Sequence, residues 1–284
     1  MPDSKNVKLH YGKNTPQSLR AVLKSTVEDV VAKCNNREMF HGLSIYLVED
    51  YDDVNSNDFF EDAMRSKKGY QCGGSTINPI YTNGRKYIAI PTNDTIPTWK
   101  NLFGVINNTC QTKEEIKDYC LHELGHQFDY YYSSTKLDEK LIDITNKFIN
   151  KQITEKKFNE LTKHYFDSQL SDSQNFKNAW AKDVNNLKNF SDLEKRYEDL
   201  GYYIPDWFVN YDNDKTNDIY WLDGIDNKEI ELVSKERGEI FAQIFAYLLE
   251  TNKNTKEKEL IFSTYPNCLE TVKEYINEYL GINL

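Results

Sequence analysis

The chain has 284 residues, 39% of them hydrophobic and 28% charged, which suits a water-soluble protein with room for one large core or two domains. Its formal net charge of −10 disfavours nucleic acid, whose phosphates call for a basic stripe. No apolar run approaches the ~20 residues of a membrane span, so no span is expected.

Residues 1–16 mix Pro, Asn and Lys and read as an N-terminal tail; residues 17–284 read as a single domain. The opening MPDSKNVKLH has no apolar segment, so no signal peptide is expected in this chain. Ser18–Cys34 places Leu19, Val22, Leu23, Val27, Val30 and Val31 at helical spacing, one buried stripe. Leu43–Val48 (LSIYLV) reads as a strand closed by an acidic turn, and Asn57–Lys67 as a short helix. A glycine-bearing loop, GYQCGGST, follows at 69–76. Thr76–Ile80 and Lys86–Ile90 read as two strands, with Asn83-Gly84 between them as a hairpin signal.

Glu114–Tyr132 (EEIKDYCLHELGHQFDYYY) reads as a helix, with Thr112 and Glu115 as a capping box. Within it stands His122-Glu123-Leu124-Gly125-His126. Histidines four apart share one helix face and can reach one ion, and HExxH on a helix is a Zn²⁺ site with a general base beside it. Chance would place such a motif in this chain on the order of 0.01 times. Gly125 in a helix interior costs about 1 kcal/mol relative to Ala, which suggests that another backbone approaches there.

Further helices are expected at Leu137–Asn150, Glu155–Leu170, Phe176–Leu187, Lys235–Leu249 and Glu270–Leu280. Residues 190–230, rich in Tyr, Trp, Asp and Asn with little periodicity, read as a structured insertion. The five cysteines are scattered and form no C-x-x-C pair, so they read as reduced.

Catalytic zinc takes three protein ligands and keeps one position for water. His10, His41 and His164 are the other histidines, and none has the spacing HExxHxxGxxH. A carboxylate on a second helix remains. Glu239, opening EIFAQIFAY, is the strongest candidate, although periodicity alone favours reading it as an exposed helical charge.

HELGHQFD at 122–129 followed by EIFAQIF at 239–245 resembles the zinc peptidase domain of the anthrax lethal factor family and the related bacterial Pro-Pro endopeptidases. GGST at 73–76, FKNAWAKDVNNL at 176–187 and YPNCLETVKEYINEYL at 265–280 resemble, in turn, the family's edge strand, intermediate helix and closing helix. The resemblance implies an α+β fold, a small mixed β-sheet packed against a mainly helical zincin-type metallopeptidase domain. It implies one Zn²⁺ per chain held by His122, His126 and Glu239, Glu123 as general base, and Asp129 and Gln243 supporting the ligand imidazoles. Gly73, Gly74, Ser75 and Thr76 are the expected substrate-binding edge, taking a peptide or protein substrate as an added strand. A secreted or host-delivered, toxin-like protease acting as a monomer is the corresponding expectation.

Two departures stand against the family pattern. Gln243 occupies a position that is usually acidic, and Leu232 a position where the family has a tyrosine that donates to the oxyanion. Such a donor is typically worth about 10²–10³ in rate. Tyr220, in the insertion, is the candidate substitute. The same departures favour an alternative: a catalytically weak, metallopeptidase-like module that binds peptides or a partner.

Overall fold

The computed structural model describes residues 7–13, 15–48, 75–77, 86–91, 113–130, 139–166, 169–186, 234–250 and 256–284. Four strands, β1 (Val7–Tyr11), β2 (Leu43–Val48), β3 (Ser75–Ile77) and β4 (Lys86–Pro91), form one sheet in the order β1-β2-β4-β3. β1, β2 and β4 run parallel, and β3 runs antiparallel to β4 at the sheet's end. The small mixed sheet and the predominance of helix are as the sequence suggests.

Eight α-helices accompany the sheet among the described residues: α1 (Gln17–Lys33), α2 (Lys113–Asp129), α3 (Glu139–Ile149), α4 (Glu155–Phe166), α5 (Gln174–Asn186), α6 (Ser234–Leu249), α7 (Lys256–Thr264) and α8 (Pro266–Tyr275). A π-helical turn, Ile276–Leu280, prolongs α8 and ends at Gly281 in the left-handed conformation. None of these helices is long and apolar enough to cross a membrane.

Residues 1–16 are not all tail. Val7–Tyr11 forms β1, in register with β2 from Val7 opposite Leu43 to Tyr11 opposite Leu47. Parallel neighbours need a crossover, and α1 supplies it. The loop between β1 and α1 is pinned: Gly12 N–H and the Thr15 hydroxyl both donate to the Leu47 carbonyl, at 2.9 and 3.1 Å. Ile77 pairs with Tyr87, whereas an unbulged two-residue turn at Asn83-Gly84 would set it opposite Ile90. The turn itself, the expected helix at 57–67, Thr112 and the 190–230 insertion lie outside the described residues.

The strands alternate. Leu43, Ile45 and Leu47 of β2 and Ile88 and Ile90 of β4 enter the main hydrophobic core, with Leu9 of β1 packed against it. α1 adds Leu19, Leu23, Val27, Val30 and Val31 from one face. α2 contacts β3, β4, α1 and α6, so it runs between the sheet side and the C-terminal helices. A side-chain bond from Gln127 to the Tyr87 carbonyl, 3.2 Å, ties it to β4. Phe128 of α2 lies 5.8 and 5.2 Å from Phe241 and Phe245 of α6, and Phe241 meets Phe176 of α5 at 5.5 Å, ring centre to ring centre. Aromatic contacts at these separations add to plain area burial and hold α2, α5 and α6 in a fixed relation.

Candidate metal centre

α2 carries Glu114 and Glu115 in its first turn, where the helix dipole favours negative charge. Four residues apart, His122 and His126 project from one face, their ring centres 4.8 Å apart. Glu239 reaches them from the second turn of α6. Its Oε2 is 3.1 Å from His122 Nε2 and 3.3 Å from His126 Nε2, and the two Nε2 atoms are 3.1 Å apart. One donor atom from each of the three residues falls within 4.8 Å of the others. His126 is buried, while His122 and Glu239 are partly exposed, at 18% and 19% of their side chains.

Gly125 makes this meeting possible. A Cβ built there would lie 2.7 Å from both the Cα and the carbonyl oxygen of Ala242. The α2 and α6 backbones therefore touch at a glycine and an alanine, as the helix-interior glycine suggests. His122 and His126 on α2, and Glu239 and Gln243 on α6, flank that contact point in sequence.

Gln243 Oε1 is 3.0 Å from His122 Nδ1. An oxygen facing Nδ1 favours the tautomer with the proton there and the lone pair on Nε2. The structure thus places Gln243 against the His122 ring. Asp129 behaves otherwise. It was expected behind a ligand imidazole; instead it accepts the Ser171 N–H at 2.7 Å and the Ser171 hydroxyl at 2.8 Å. His126 Nδ1 has no hydrogen-bond partner among the described residues. The physical reason is position: the Ser171 turn comes against the end of α2, where its backbone N–H competes for the carboxylate.

Glu123 is buried beside the ligands, and its Oε2 has no hydrogen-bond partner among the described residues. Burial raises its pKa above the usual carboxylate value, against the opposing pull of His126, His122 and the Thr76 hydroxyl. On Glu239 burial works the same way, but the facing imidazoles prevail and hold its pKa well below the usual value. For His126 burial favours the neutral ring, yet Glu239 outweighs it and lifts the pKa to about 9. Cys120, two residues before His122, is fully buried and its thiol is pushed up by burial and by Glu123, so it is an inert packing residue.

Of the expected substrate edge, Thr76 is placed: its hydroxyl donates to the Glu123 backbone carbonyl at 3.2 Å. Thr76, Ile88, Ile45 and Leu9 form one cross-strand row, so the sheet's end strand abuts the metal helix at Glu123. Ser75 lies in the same strand, paired with Ala89. Gly73, Gly74, Tyr220 and Leu232 lie outside the described residues.

Three residues at this centre were not apparent from the sequence: Ser171, Asp172 and Arg237. Arg237 donates through Nε to the Ser171 carbonyl at 3.2 Å and pairs through Nη2 with Asp172. Only Arg237 offers a sequence signal, a cation two positions before Glu239 on a helix otherwise turned to the core.

No protein-family model, curated protein or solved structure matches this chain.

The donor set suits a divalent cation of zinc type. Two imidazole nitrogens and a carboxylate oxygen converge at 3.1–3.3 Å, and at most one proton can sit between the two Nε2 atoms. Two neutral imidazoles and a carboxylate are a ligand set that zinc takes in hydrolytic sites.

Proposed function

We propose that this chain is a zinc-dependent endopeptidase, with His122, His126 and Glu239 as ligands and Glu123 as general base. One observation carries the reading: Glu239 Oε2 stands within 3.3 Å of both histidine Nε2 atoms while Glu123 lies buried alongside with an unpartnered oxygen. Resemblance of 122–129 and 239–245 to the lethal factor and Pro-Pro endopeptidase family supports it further.

Bound zinc supplies a Lewis acid that brings the acidity of water close to neutral pH, to a pKa of about 7. The protein's own groups do the rest. Gln243 holds the His122 ring so that Nε2 faces the cluster. Glu123 Oε2, free of internal hydrogen bonds, takes the proton of an attacking water and passes it to the leaving amine. Its raised pKa brings base strength closer to the working pH, which is what general base catalysis favours. β3, last in the sheet order among the described residues and touching Glu123 through Thr76, offers an edge along which an extended peptide adds as a strand.

The test has two parts. Purified protein should hold about one zinc per chain, and Glu123→Gln should keep the zinc while peptide cleavage falls by about 10²–10⁴-fold. A wild type without zinc affinity ends the reading. If it binds zinc and peptides but cleaves nothing in a broad peptide library, the chain is instead a metallopeptidase-like binding module, which the neutral Gln243 beside His122 would accommodate.

A further inference from the structure

The Gly125–Ala242 contact brings the α2 and α6 backbones together, and Phe128 packs on Phe241 and Phe245 across the same pair of helices. A further attachment between the two helices is polar and directional. Asp129, one turn beyond His126, grips residue Ser171 with both carboxylate oxygens, at 2.7 and 2.8 Å. Arg237, two residues before Glu239, grips the same turn from the other side, at the Ser171 carbonyl and the Asp172 carboxylate. All four residues are buried.

The turn is itself fixed. Leu170 N–H donates to the Asp129 carbonyl at 3.1 Å, and the Ser173 hydroxyl is 2.7 Å from the Tyr275 hydroxyl of α8. Ser173 also receives the Phe176 N–H at the start of α5. Buried ionic groups are a weak means of gaining stability, since apolar residues of similar volume do as well. What hydrogen bonds add is a narrow tolerance in distance and angle.

Building on the metal-centre reading, we propose that the Ser171–Asp172 turn is a positioning element for the ligand set. By holding α2 through Asp129 and α6 through Arg237, it fixes how far Glu239 stands from His126. Ser171, Asp172 and Arg237 touch no ligand atom and act through the helices that bear them.

The experiment compares full-length wild type with Ser171→Ala, Arg237→Lys and a control, Asp183→Ala. Asp183 is a buried carboxylate that accepts the Asn267 and Cys268 N–H groups at the start of α8, and its hydrogen bonds among the described residues go to neither ligand helix. Zinc affinity is measured by chelator competition, ligand geometry by the visible spectrum of the cobalt-substituted protein, and folding by circular dichroism. Ser171→Ala and Arg237→Lys are expected to weaken zinc binding by about 10–100-fold and to alter the cobalt spectrum. Asp183→Ala is expected to lose thermal stability and keep wild-type zinc affinity and spectrum. The proposal is overturned if both turn variants match wild type in affinity and spectrum, or if Asp183→Ala loses as much affinity as they do. A wild type that binds no zinc overturns the metal-centre reading, and the positioning role with it.

Discussion

The Gln243 side-chain oxygen meets His122 Nδ1 at 3.0 Å across the contact between α2 and α6. The partner of the His122 imidazole is here an amide dipole and not a full negative charge. It fixes the tautomer but adds less basicity than a carboxylate would. Gln243→Leu should weaken zinc binding by about 10–100-fold, and Gln243→Glu should tighten it, both read by chelator competition. Equal affinity in all three proteins would show that Gln243 does not act on the metal.

Gly125→Ala separates two effects of opposite sign. Helix propensity alone favours alanine by about 1 kcal/mol. The added Cβ would stand 2.7 Å from the Ala242 backbone, which cannot swing aside as a side chain can. A net loss of about 1–3 kcal/mol is expected from urea denaturation, with weaker zinc binding because α6 is pushed off α2. A more stable variant would contradict the close contact.

Asp129 gives the metal-free protein a distinct pH response. Burial raises its pKa to about 7, although the Ser171 bonds oppose the shift. A carboxyl whose folded pKa is raised contributes stability that is full below the unfolded value of 3.8 and is lost as pH rises through about 7. Asn at this position keeps an acceptor for the Ser171 N–H and does not titrate. In chelator-treated protein, the melting temperature of Asp129→Asn should therefore rise relative to wild type between pH 4 and 7. A constant difference across that range would place the Asp129 pKa near its ordinary value.

Asp183 caps a helix from a distance. Its Oδ1 accepts the Asn267 N–H and side-chain amide, and its Oδ2 accepts the Cys268 N–H at 2.8 Å. Loss of a capping side chain costs about 0.5–2 kcal/mol. Asp183→Ala should fall in or somewhat above that range by denaturant titration, because three bonds are lost together. An unchanged midpoint would mean that water replaces the carboxylate at no cost.

The helices were legible where apolar residues recur along one face. α1 is read from Leu19, Leu23, Val27, Val30 and Val31, and α6 from Ile240 and Ile244. Gly125 was informative because a glycine in a helix interior has a cost that a close contact explains. β1 was not legible: VKLHY is five residues inside a polar stretch, and it becomes a strand only by pairing with β2 beyond a 17-residue helix. α7 was missed because KEKELIFST has a charged first half, and its buried apolar residues, Leu260 and Ile261, are adjacent and show no helical period. The partner of Asp129 was hidden for a related reason. Ser171 lies 42 positions away, and which donor reaches a buried carboxylate is decided by tertiary approach, not by helical spacing.

The centre is divided along the chain as well as across two helices. His126 and Glu239 lie 113 positions apart. On the ribosome, at about 5–20 residues per second, the histidine half emerges on the order of ten seconds before its carboxylate exists. The nascent chain thus carries a two-histidine half-site while most of its own length is still being made, and the third donor arrives only once α6 is synthesised and docks on Gly125.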